Sequence, residues 1–265
     1  MSGMVGPDFL SLPTRAGKPR TAGLTHVLDT GVTPAAAADL LGTGGALVDI
    51  WKTGWGTAYV DPGITEKLAA LARHDVASCL GGTLLEIAWA QGAAEACLAW
   101  ARTVGFTHVE VSRGTVPMTP GEKHELVRRA ADRFVVLTEV GVKDPDQQHT
   151  LDQWRDEAAA DRSAGAALVV TEGRQSGTVG IFEPDGSVRE DVVDAVVGVV
   201  GLGHVVFEAP RAAQQAWFVR RFGPDVNLGN VALGEILSVE TLRLGLRSDT
   251  AAVTVPGTVA AELAR

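Results

Sequence analysis

The sequence predicts an α/β protein, a closed (β/α)8 TIM barrel in a single domain, and three observations carry that prediction. Short apolar runs recur along the 265 residues at Leu24 to Asp29, Ala46 to Lys52, Val76 to Thr83, His108 to Ser112, Phe134 to Lys143, Ala166 to Glu172, Val205 to Glu208 and Val226 to Asn230. Most of these runs stop at a charged or polar residue where a loop begins, as strands buried on both faces do. Helical stretches lie between the runs, and strand, loop and helix in strict alternation force parallel pairing through crossover helices. Eight such units in a chain of this length favour the closed barrel over an open doubly wound sheet. No GxGxxG follows the first run and no GxxxxGK[ST] occurs, so dinucleotide and P-loop sites have no support.

Taken in order, residues 1–20 are rich in Gly, Pro and mixed charge and read as an N-terminal arm. The barrel occupies 21–250. After the first strand, Thr33 and Pro34 supply an N-cap and a first-turn proline for a short helix over Ala35 to Leu41. The second strand leads through Thr53-Gly54-Trp55-Gly56-Thr57 into a helix running from Glu66 to Arg73. The third ends at Gly81-Gly82-Thr83 and is followed by one long helix from about Glu86 to Ala101. Thr119-Pro120-Gly121-Glu122 forms a capping box that opens a helix over Lys123 to Ala131. The fifth strand passes through Asp144-Pro145 into a helix around Leu151 to Ser163, stopped near Gly165. The longest connection, Gly173 to Val188, contains the turn residues Pro184-Asp185-Gly186, and a loop of that length in a compact domain is usually functional. Helices near Asp191 to Val200, Ala212 to Phe222 and Gly234 to Gly245 complete the alternation. Residues 251–265 read as a C-terminal tail.

Composition excludes several classes. Charged residues are 21% and hydrophobic ones 46%, an ordinary globular mixture. A net charge of −9 without a Lys/Arg stripe argues against nucleic-acid binding. The aliphatic run near Val192 is broken by Asp194, Gly198, Gly201 and His204, so no membrane segment is expected. Cys79 and Cys97 are too few for a disulfide framework, which points to a reducing cytoplasm. The six histidines form no zinc-type grouping.

Closing a barrel brings all strand ends to one mouth. Asp29, Glu110, Glu139, Glu172 and Glu208 would meet there, with Lys52, Lys143 and Arg174 among them. Crowded carboxylates must be protonated, paired or neutralised by metal, and an oxygen-seeking divalent ion such as Mg2+ suits them, with Asp29, Glu139, Glu172 and Glu208 as candidate ligands. The alternative for any one acid is a helix cap or a structural ion pair. Lys52 and Lys143 could be counter-ions or proton carriers. The backbone at Gly81-Gly82 and from Asn227 to Asn230 could approach an oxyanion closely.

The motifs are more specific than a generic barrel requires. Lys52-Thr-Gly54-Trp55-Gly56-Thr57, Gly81-Gly82-Thr83-Leu84 with Glu86, Glu110-Val111-Ser112, Glu139-Val140-Gly141-Val142-Lys143, Glu172-Gly173-Arg174-Gln175-Ser176-Gly177, Phe207-Glu208-Ala209-Pro210 and Asn227-Leu228-Gly229-Asn230 stand in an order that resembles the phosphosulfolactate synthase family over about 20–250. The resemblance implies a Mg2+-dependent carbon–sulfur lyase that adds sulfite to phosphoenolpyruvate, giving (2R)-phospho-3-sulfolactate through an enolate-like intermediate. It implies Lys143 as the general acid and Lys52 as its catalytic companion. Arg174, Ser112, Gly81, Gly82, Asn227 and Asn230 would contact the substrate. Departures from the family pattern are Val142 for the first of two adjacent lysines, Arg113 for an acid, Gln175 for a glutamate and Ser248 for the glycine of an Arg-Gly-Asp. Arg113 and Gln175 make the mouth less acidic. Another small nucleophile or phospho-enolate reaction on the same fold is one alternative. A non-catalytic relative, like heat-stress-associated plant proteins, is another. Homo-oligomer formation is left open.

Overall fold

The structure, a computed structural model, describes residues 8–142 and 149–255. Its strands are β1 (Thr25–Asp29), β2 (Ile50–Thr53), β3 (Ala77–Leu80), β4 (His108–Val111), β5 (Val135–Val140), β6 (Leu168–Thr171), β7 (Val205–Glu208) and β8 (Leu228–Ala232). They pair in parallel in chain order, and β8 returns to β1, so the sheet is a closed barrel. Outside lie α1 (Pro34–Gly44), α2 (Thr57–Val60), α3 (Ile64–Arg73), α4 (Gly82–Ala90), α5 (Ala94–Val104) and α6 (Pro120–Ala131). The ring is completed by α7 (Leu151–Ala164), α8 (Glu190–Val200), α9 (Ala212–Phe222) and α10 (Ile236–Arg243).

Local chemistry explains the boundaries. Thr33 accepts a bond from Ala36 N with Pro34 inside the first turn, and Thr119 with Glu122 forms the reciprocal capping box of α6. Thr150 and Gln153 form a second capping box at α7, which ends at Gly165 in the left-handed conformation. The expected single helix over Glu86 to Ala101 is two. The chain leaves α4 through Gln91 and Gly92, whose φ of +71° no helix accepts, and restarts at Ala94.

Alternation along each strand divides the core in two. Val27, Trp51, Val109 and Val136 face the helices in one large cluster, while Leu24, Ile50, Cys79, Leu137, Val170 and Val206 fill the barrel's interior. The bottom is closed by guanidinium groups. Arg243, fully buried, donates to the carbonyls of Leu24 (3.0 Å), Pro224 (2.6 Å) and Val226 (2.6 Å). Residues 8–20 contain neither helix nor strand, and Arg15 from this stretch pairs with Asp225 at 2.8 Å and Glu240 at 3.0 Å. Among the described residues no helix is long and apolar enough to cross a membrane.

Candidate active site

The strands' C-terminal ends open into a cavity of about 410 Å3 whose lining includes Lys52, Glu110, Glu139, Glu172 and Glu208. They belong to β2, β4, β5 and β7 and to the first position after β6, and each stands at the inward phase of its strand. Lys52 is the centre of the arrangement. Its Nζ lies 3.0 Å from Glu110 Oε2 and 3.1 Å from Glu208 Oε1. The other oxygen of Glu110 accepts from Gly82 N at 3.1 Å, and that of Glu208 from Gly173 N at 3.0 Å. Both carboxylates are thereby tied to the protein. Glu172 Oε1 accepts from Arg174 N at 2.7 Å.

Burial alone would push the Lys52 ammonium toward neutrality, but Glu110, Glu208 and Glu139 outweigh it and hold its pKa well above the usual lysine value. Lys52 is therefore a fixed cation. Burial pushes the Glu208 carboxyl up; Lys52 opposes this, while Glu139 and Glu110 add to it. Deeper in the barrel, burial lowers His108 to about 4 and, with Lys52 adding to it, His26 well below the usual range. Neither histidine carries a proton to give near neutral pH.

Among the described lining residues, the acids Glu110, Glu139, Glu172 and Glu208 outnumber the cations Lys52 and Arg174. That surplus of hard oxygen donors fits a divalent cation such as Mg2+, which uses one or two carboxylates and completes its shell with substrate and water. Glu139 and Glu172 are among the lining carboxylates that could hold it. No group of three or more candidate ligands stands preassembled among the described residues.

Gly81, Gly82, Arg174 and Asn230 also line the cavity. Arg174 and Asn230 hold left-handed φ values of +51° and +52°, unusual for side-chain-bearing residues, and Asn230 Oδ1 is buried with no hydrogen-bond partner. A Cβ on Gly82 would run into Ser112 Oγ, so the start of α4 lies flush against the end of β4. Ser112 itself is behind the lining, where its hydroxyl donates to Glu86.

Besides Ser112, two expected site residues lie away from the cavity lining, and one is outside the described residues. Asp29 stands at the outward phase of β1, where Lys67 Nζ (2.8 Å), Trp51 Nε1 (3.0 Å), Gly31 N and Val32 N saturate both oxygens. A carboxylate so engaged does not ligate a metal in the mouth. Asn227 precedes β8 and binds Leu24 N, Gly203 O and Val205 O, residues at the opposite end of the barrel from the mouth. Lys143 lies outside the described residues. Sequence reading missed Trp55, which lines the cavity with its indole exposed and a φ of +55°; its position between two glycines was the available signal. It also missed Glu86, which binds Thr115 N and Val116 N besides Ser112, although Glu86 stood in a quoted motif.

A closed parallel barrel with a lysine braced among strand-end carboxylates defines a (β/α)8 enzyme with its polar site at the strands' C-terminal mouth. The chain matches the family described as (2R)-phospho-3-sulfolactate synthase (ComA) over residues 13–249, and it belongs to that family. It is 42% identical over 249 residues to the phosphosulfolactate synthase of Methanothermobacter thermautotrophicus, covering 92% of this chain and 96% of that protein. The phosphosulfolactate synthase of Bacillus subtilis is 37% identical over 247 residues, covering 92% and 98%. Among solved structures, 3-hexulose-6-phosphate synthase from Salmonella typhimurium superposes with a TM-score of 0.57 at 14% identity, over 84% of this chain and 100% of that one, a likeness of fold alone.

Proposed function

We propose that the protein is a phosphosulfolactate synthase, adding sulfite to phosphoenolpyruvate to give (2R)-phospho-3-sulfolactate. The observation that carries the reading is Lys52 held charged between Glu110 and Glu208 at the mouth of a chain that matches a named synthase over 92% of its length. The sulfite sulfur donates its lone pair to the methylene carbon and forms the C–S bond. The carbon–carbon π pair moves toward the neighbouring carbon and its carboxylate, and a proton then completes that carbon. The phosphate ester bond stays intact.

The chain's residues divide this work. Lys52 has a third ammonium N–H beyond those facing Glu110 and Glu208, and it holds a substrate anion. Its raised pKa makes it a poor proton donor, which supports assigning the general-acid role to Lys143. Arg174 supplies a second cation at the rim. Gly82 N is already given to Glu110, so the amide that follows it in the first turn of α4, that of Thr83, suits a phosphate or carboxylate oxygen. Glu139 and Glu172 would hold Mg2+, which when bound neutralises negative charge gathering on the substrate carboxylate.

Purified protein mixed with phosphoenolpyruvate, sulfite and MgCl2 should show a new phosphorus resonance and the mass of the sulfonate. Absence of product together with absence of phosphoenolpyruvate binding would remove the enzyme reading. Product formed with a different nucleophile and not with sulfite would keep the fold and replace the reaction. Turnover of Lys143→Ala at the native rate would remove that lysine from the proton-donor role.

A further inference from the structure

Outside the barrel, between α6 and α7, lies a buried charge cluster that the reaction itself does not use. Lys123 on α6 is fully buried, and its ammonium makes three bonds: to Glu157 Oε1 (2.9 Å), to Asp161 Oδ2 (2.7 Å) and to the backbone carbonyl of Glu139 (2.8 Å). Glu157 is also gripped by Arg113 through two bonds of 3.0 and 2.8 Å, and His124 Nε2 lies 3.3 Å from Asp161 Oδ1. An ammonium with all its donors spent and no solvent access has one defined position.

The third bond reaches the mouth. Pairing between β4 and β5 ends at Val111 and Thr138, one residue short of Glu139. On its other side the end of β5 is held from just past β6, where Glu172 N donates to Val140 O at 2.9 Å. On the β4 side, the Glu139 carbonyl has passed the last rung of the ladder and takes its hydrogen bond from Lys123 instead. Two opposite anchors thus fix the peptide that carries Glu139, and the side chain of that residue lines the cavity.

We propose that Lys123 is a positioning residue for the reaction: from outside the barrel it holds the terminal peptide of β5, so that the Glu139 carboxylate stays aimed into the mouth. The role assigned to Glu139 rests on the functional reading above, but its placement does not.

Lys123→Met alone would leave the buried Asp161 carboxylate without its lysine, whereas Glu157 keeps Arg113, so the informative variant removes the Lys123–Asp161 pair as a unit, Lys123→Met with Asp161→Leu. This protein should fold, with a sharp calorimetric transition, and its kcat should fall about 100-fold while KM for phosphoenolpyruvate stays within about threefold. Asp161→Asn retains the lysine and its bond to the Glu139 carbonyl, and its kcat should remain within about twofold of wild type, because the grip is preserved. A double variant turning over at the wild-type rate, or an Asp161→Asn enzyme as impaired as the double variant, would overturn the proposal. Crystals of the wild-type and double-variant proteins test the same point without turnover. A displaced Glu139 carboxylate is expected in the variant, and an unmoved one would overturn the proposal whatever the reaction. A wild-type protein that forms no sulfonate counts against the functional reading alone.

Discussion

Lys52 Nζ stands 3.0 Å from Glu110 Oε2, joining β2 to β4 across the mouth of the barrel. Because Glu208 shares the same ammonium, removing it strands two buried carboxylates at once. Lys52→Met should therefore lose roughly 3–5 kcal/mol of stability, read by urea unfolding, and its turnover should fall below detection. Normal stability in that variant would mean that water reaches these groups freely.

The Asp29 cluster predicts a pH dependence of folding. Burial would raise the Asp29 carboxyl, but bonds from Lys67, Gly31, Trp51 and Val32 outweigh it, and its pKa lies below the ordinary 3.8. A carboxyl whose pKa falls on folding adds stability that is complete above its unfolded value and drains away as pH drops through the folded one. Asp29→Asn should thus be least stable relative to wild type at neutral pH, with the gap narrowing below about pH 4. Unfolding curves measured at pH 7 and at pH 3 check this; a gap of equal size at both would contradict it.

Gly82→Ala should place a methyl group against Ser112 Oγ and push the start of α4 away from the mouth. A loss of about 100-fold in kcat/KM is expected, since small displacements near the reacting atoms have effects of that order. Adding Ser112→Gly should recover much of the loss. Steady-state kinetics on the single and double variants decides whether the contact matters.

Chelation should stop the reaction, and Mg2+ should restore it. Glu139→Gln and Glu172→Gln should each raise the Mg2+ concentration needed for half-maximal rate by at least about tenfold, as losing even an outer-shell partner commonly does. Titration of activity against MgCl2 measures it. An unchanged requirement in both variants would place the ion elsewhere.

In Arg243→Met the carbonyl of Leu24 would keep Leu228 N and that of Pro224 would keep Arg15, but the buried Val226 carbonyl would lose its guanidinium donor. An unsatisfied group of this kind costs about 1–3 kcal/mol, so a drop of that order is expected in denaturant unfolding, with KM for phosphoenolpyruvate little changed in the folded fraction.

Much of this was legible in residue order, for identifiable reasons. A strand buried on both faces announces itself as an apolar run, and a barrel places the end of every run at one face, so Lys52, Glu139, Glu172 and Glu208 could be grouped without coordinates. The errors came where phase mattered more than position. Asp29 ends its run as the others do, but Leu24, His26 and Leu28 take the inward places, which turns Asp29 to the helices. Asn227 was placed at the mouth because the eighth run was read as beginning at Val226, whereas β8 begins at Leu228 and leaves Asn227 at the bottom. Lys67 and Lys123 gave no signal, because a lysine on the polar face of a helix reads as solvated until tertiary structure supplies its partners.

Besides a local bond to Gly23 O, the guanidinium of Arg15 reaches Pro224, Asp225 and Glu240, more than two hundred positions downstream. Those three distant partners can reach Arg15 only after nearly the whole polypeptide has left the ribosome. The floor of the barrel cannot be sealed before Glu240 is made.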